Sequence, residues 1–75
     1  MNKPKEKQKL KPRQEQVLGF IRDFIEEHQY PPTVVEISDH FGFKSKNAAQ
    51  DHLKVLQSKG HIERVFNVSR GIRLL

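Results

Sequence analysis

TVVEISDHFGFKSKNAAQDHLKVLQSKG, residues 33 to 60, opens with one helix start, crosses a glycine into a second, and ends on another glycine. At its head, Thr33-Val34-Val35-Glu36 has the form of a capping box: the threonine oxygen takes the N–H three residues on, and the glutamate returns to the N–H of the cap. Val35, Ile37 and Phe41 are expected to face inward, and Gly42 stands where a left-handed residue closes a helix. Ser45 supplies the next cap, and the helix it opens runs toward Gly60. Two short helices across a tight glycine turn make a helix-turn-helix, whose second helix is presented outward.

The flanking sequence completes the domain. Upstream, Val17, Leu18, Ile21, Phe24 and Ile25 recur at i, i+1, i+4, i+7 and i+8, one stripe of a helix that starts at Pro12 and ends near Gln29, before Tyr30-Pro31-Pro32. Residues 1–11 carry lysines at 3, 5, 7, 9 and 11 with almost nothing apolar, and are expected to form a disordered basic arm. Downstream, residues 61–65 and 71–75 read as two strands joined by a link of about five residues, with Ile72, Arg73 and Leu74 alternating at strand period. No internal repeat is present. The expected fold is α+β but mainly α: one winged helix-turn-helix domain over residues 12–75, three helices followed by a two-stranded β-hairpin wing.

Composition narrows the chemistry. Seventy-five residues allow one small domain, and without cysteine it holds by packing alone, which fits a reducing, cytoplasmic setting. His28, His40, His52 and His61 are scattered without a metal-ligand spacing, so neither a metal nor a cofactor is expected. No apolar run reaches the roughly 20 residues of a membrane span, and no hydrophobic block follows the first lysines as a signal peptide requires. There is no nucleophile–base pair, phosphate-cradling glycine loop or paired carboxylate site, so no catalytic residue is expected. The net charge of +5 is unevenly spread: residues 1–13 and 42–75 are each +5, and residues 14–41 are −5. Such polarity suits a face turned toward a polyanion.

At about 100° per residue, Ala49, Leu53 and Leu56 of the third helix fall together, with His52 packed beside them. Asn47, Gln50, Asp51, Lys54 and Ser58 lie opposite. A polar row of this kind is ordinarily a solvated face; the glycine turn, the capping box and the flanking Lys44, Lys46, Lys54 and Lys59 distinguish this one, together with Arg70 and Arg73 on the wing. In the major groove, amides such as Asn47 and Gln50 pair with adenine, and a carboxylate such as Asp51 accepts from cytosine. An acid on a DNA-facing helix argues for selective reading over general adhesion. Two other uses of the fold stand beside this one: a protein-interaction module that docks through the polar row, and a nonspecific nucleic-acid binder driven by the lysine arm. Phe20 and Phe66 fit edge packing as well as recognition.

The sequence YPPTVVEISDHFGFKSKNAAQDHLKVLQSKGHIE, followed by SRGIRLL, resembles the DNA-binding domain of the LexA repressor family. The shared features are a PPT-xx-EI start, a GF-x-S turn, an NAA-xx-HL-K-L helix, a KG-x-IE strand and the SRGIRLL ending, and the likeness runs from about Arg13 to Leu75. It implies a cytoplasmic, nucleoid-associated bacterial repressor that binds a pseudo-palindromic double-stranded operator as a homodimer and silences DNA-damage (SOS) genes. It also implies a separate C-terminal domain, with a serine-lysine pair for self-cleavage and the contact with RecA, absent from these residues.

By position, the resemblance makes Ser45, Asn47, Ala48, Gln50 and Asp51 base-proximal, and Arg13, Lys59, Ser69 and Arg70 backbone or minor-groove contacts alongside Lys44, Lys46 and Lys54. Two departures stand out. Gln50-Asp51 replaces an acidic pair common in the family, and Lys11 replaces a threonine-type cap behind a longer lysine-rich arm.

Overall fold

A computed structural model describes residues 7–75, which form α1 (Pro12–His28), α2 (Val34–Phe41), α3 (Lys46–Ser58), β1 (Ile62–Arg64) and β2 (Ile72–Leu74). The order of elements is the winged helix-turn-helix expected.

The boundaries of α1 and α2 have local chemical causes. Pro12 occupies the first turn of α1, where a missing N–H costs nothing. Lys11 is its cap residue, but an ammonium cannot accept a hydrogen bond; only the returning half of the box forms, the Lys11 N–H donating to Gln14 Oε1 at 3.0 Å. At the other end Gln29 turns left-handed (φ 66°), its N–H bonds the Ile25 carbonyl, and Tyr30-Pro31-Pro32 cannot continue the helix.

The Thr33 capping box of α2 is complete: the Glu36 N–H donates to Thr33 Oγ1 (3.1 Å) and the Thr33 N–H to Glu36 Oε1 (2.9 Å). Gly42 closes α2 in the left-handed conformation (φ 68°), and Phe43 N–H reaches back to the Ser38 carbonyl at 3.0 Å. A side chain at Gly42 would strain that turn.

One stripe from each helix makes the core: Val17, Leu18 and Ile21 from α1, Ile37 from α2, and Ala49, Leu53 and Leu56 from α3, closed by Ile62 and Ile72 of the hairpin. Burying each large side chain contributes roughly 1.5–3 kcal/mol. Val35, expected inside, is 44 % exposed. The inward stripe of α2 is Val34, Ile37, Ser38 and Phe41, at i, i+3, i+4 and i+7, and Val35 lies a hundred degrees off it.

The strands pair antiparallel, Ile62 with Leu74, Glu63 with Arg73 and Arg64 with Ile72. Glu63 and Arg73 form an ion pair across the wet face. The wing loop closes on itself, with Val65 N–H donating to the Gly71 carbonyl and Gly71 N–H to the Val68 carbonyl. Gly71 is obligatory for that closure, since a Cβ there would collide with the Val65 carbonyl oxygen.

The domain starts earlier than expected. Leu10 is 7 % exposed and joins the core, Gln8 N–H donates to the Lys59 carbonyl (2.8 Å), and Lys59 Nζ donates to the Lys9 carbonyl (3.1 Å). The His61 ring holds the Gln8 carbonyl at 2.6 Å, while the His61 carbonyl accepts from Leu75 N–H at 3.1 Å. Residues 8–11 are therefore docked on the body, corrected from a disordered arm, because Leu10 has a pocket and the neighbouring backbone has partners. Residues 1–6 of that arm lie outside the described residues.

Candidate nucleic-acid interface

Helix α3 is positioned by its apolar side, which leaves a defined face outward. Asn47, Asp51, Lys54 and Ser58 are exposed, Ala48 is half-buried, and Gln50 is half-buried beside the wing. Ser45 holds the N-cap position without a cap hydrogen bond from its hydroxyl, and Lys44 and Lys46 on either side of it are exposed. Among the described residues, the side chains of Ser45, Asn47, Gln50, Asp51 and Lys54 form no hydrogen bond or ion pair with the rest of the chain. Their donors and acceptors face solvent.

Between α3, the start of α2 and the wing runs a cleft of about 240 Å³. Lys46 and Gln50 line one wall, Arg64, Val68 and Ser69 the other, and Val35 stands at its end on α2. No acidic side chain lines it. Ser69 thus lines the cleft, and Val35 joins it from a position assigned to the core. Arg13 reaches the same end of α3, its guanidinium 5.5 and 5.8 Å from the ring centroids of Phe41 and Phe43, which flank the Gly42 turn.

Two expected cations are engaged within the chain. Arg70 pairs bidentately with Glu36 (2.7 and 3.1 Å), donates to the Pro31 carbonyl at 2.8 Å and lies 4.4 Å from the Tyr30 ring centroid. Its hydrogen bonds to Glu36 hold that carboxyl below its ordinary range, helped by the Thr33 N–H, and raise the affinity of the guanidinium for its own proton. The wing is thereby fixed to the start of α2 by Arg70, which also lines the cleft. The Lys59 ammonium, on the Lys9 carbonyl and Gln14 Oε1, clamps residues 8–11 at the far end of α3, about 20 Å from Ser45.

Arg64, not among the residues expected at the face, also lines the cleft. It is half-buried in the cleft, its Nε is buried without a partner, and its guanidinium lies 5.6 Å from the Phe66 ring centroid. The available signal was strand period, which places Arg64 on the inward side with Ile62. His52 stacks on Phe43 at 5.4 Å, as the packed reading anticipated. Among the described residues no His, Cys, Asp or Glu cluster is arranged to hold a metal, and no helix is long and apolar enough to cross a membrane.

A helix-turn-helix with a β-hairpin wing and an outward amide-and-lysine face defines the class of winged-helix DNA-binding domains. The chain belongs to the LexA DNA-binding domain family, whose model matches residues 7–71. It is 62 % identical over 66 residues to a LexA repressor of Hahella chejuensis, covering 88 % of this chain and 33 % of that protein. Identity is 58 % over 66 residues to the LexA repressor of Teredinibacter turnerae (88 % and 33 %), and 54 % over 67 residues to that of Pseudomonas aeruginosa (89 % and 33 %). The chain thus spans about a third of the length of these relatives, and the matched part is the DNA-binding domain and not a peptidase.

Proposed function

We propose that the chain reads a pseudo-palindromic operator in double-stranded DNA, two copies to a site, as the DNA-binding part of a cytoplasmic, nucleoid-associated repressor of DNA-damage (SOS) genes. The observation that carries this is the α3 face: a row of amide, carboxylate and hydroxyl groups without internal partners, set on a rigid helix and flanked by cations. Such groups specify base edges when laid in the major groove. Asn47 and Gln50 are assigned to adenine, Asp51 to a cytosine amino group, and Ser45 and Ala48 to the bases nearest the helix start. Lys44, Lys46, Lys54, Arg13 and Ser69 grip the backbone. Self-cleavage and any contact with RecA belong to the rest of such a repressor.

The nonspecific reading is disfavoured by Asp51, whose exposed charge repels phosphate unless a base satisfies it, and by docking of residues 8–11 onto the body. Selection of duplexes from a random pool at near-physiological salt tests the proposal, and an inverted repeat is the expected product. Asn47→Ala should then weaken binding to that repeat by roughly 1–3 kcal/mol and leave random duplex nearly unchanged. Equal loss on both, or recovery of no common sequence, refutes base reading.

A further inference from the structure

The wing tip carries a group that the α3 reading does not use. Val65, Phe66 and Val68 are 53, 69 and 56 % exposed, the most uncovered large apolar side chains among the described residues apart from Leu75 at 54 %. Exposed phenylalanine on so small a domain signals a partner. The loop that bears it is held in shape: the paired backbone of Val65, Val68 and Gly71 closes it, and Arg70 ties its base to Glu36 and Pro31. An apolar tip is thus presented on a stiff support.

Its surroundings specify the partner's charge. From Arg64 to Leu75 the sequence has three arginines and no acid. The cleft between wing and α3 is also free of acids and contains the unpartnered Arg64 Nε. A sugar-phosphate strand seated in that cleft, between Lys46 and Arg64, puts α3 in one groove of a duplex and the wing tip in the next. The adjoining groove is the minor groove, where inserted apolar side chains separate base steps and bend the helix.

We infer that Phe66 is an apolar wedge that enters the minor groove beside the bases read by α3, with Arg64 on the intervening phosphates, so that each copy bends its half-site and discriminates at a step it does not hydrogen-bond. The inference rests on the proposed DNA reading. Flexible pyrimidine–purine steps are favoured at the wedge, because they unstack at least cost.

The test uses an inverted-repeat duplex recovered from the random pool, with each adenine replaced in turn by 2-aminopurine, whose fluorescence rises on unstacking. The wild-type chain should brighten the probe at one step per half-site and retard circularly permuted fragments as a bend does. Phe66→Ala, which removes an exposed ring and should leave the melting temperature unchanged, should abolish both signals and weaken binding by about tenfold. Phe66→Leu should retain much of each.

Selective binding by the wild type with a dark probe at every position, and Phe66→Ala within about twofold of it, overturns the wedge and leaves the α3 reading intact. Loss of self-association, or of binding to vesicles containing phosphatidylserine, in Phe66→Ala without a change on the duplex assigns the tip to a second copy or a lipid surface and also overturns it. Failure of the wild type to discriminate among duplexes removes both readings.

Discussion

Glu36 does the work of two residues, since one carboxylate caps α2 through the Thr33 N–H and receives the Arg70 fork from the wing. Arg70 holds its pKa below the ordinary carboxylate range. A carboxyl held down in the folded state stabilises wherever it is ionised, above its unfolded value of about 4.3, and that stability is lost as the pH falls through the depressed folded value. Arg70→Leu should therefore lower the melting temperature at pH 7, and the gap from wild type should close as the pH drops below about 4. A gap that persists unchanged at low pH would show that Arg70 acts through packing on Tyr30 instead. The strut was not legible in the sequence: Glu36 was visible as a cap and Arg70 as a wing cation, but their partnership spans 34 residues and depends on how the hairpin returns to α2.

At the scale of elements, what was legible was what local chemistry decides. The capping box, the proline start of α1 and the left-handed Gly42 each act within four residues and fix α1 and α2, and the two strands lie within the spans their alternation marked. The outward placement of Asn47, Asp51 and Lys54 followed from helical period alone. Val35 went astray because an eight-residue helix offers few apolar positions and the stripe shifts with its first residue. Residues 8–11 went astray because one leucine among lysines has no period, and its burial depends on a distant part of the chain, where Gln8 docks on the Lys59 carbonyl at the end of α3. Leu10→Ala should cost roughly 2 kcal/mol, the low end for a leucine truncation because the site lies at the rim of the core. Urea denaturation measures this, and an unchanged midpoint would return these residues to the status of a loose tail.

The molecule as a whole is electrically two-sided. Asp23, Glu26 and Glu27 share the solvent side of α1, while the exposed lysines of α3 and the arginines of the wing belong to the elements around the cleft. A duplex approaching the second side displaces counterions, and the slope of log affinity against log salt counts the phosphates engaged, at about 0.9 per contact. Lys46→Ala should flatten that slope by roughly one contact. Lys59→Ala should leave it nearly unchanged and destabilise the fold instead, since its ammonium already serves Lys9 and Gln14. A flattened slope for Lys59→Ala would place that ammonium on the DNA after all.

His61 gathers Gln8 with its ring and Leu75 with its carbonyl. The two ends of the described segment consequently lie at a single corner, at the end of α3 remote from Ser45. A label placed at either end of that segment shares one handle, remote from the start of α3.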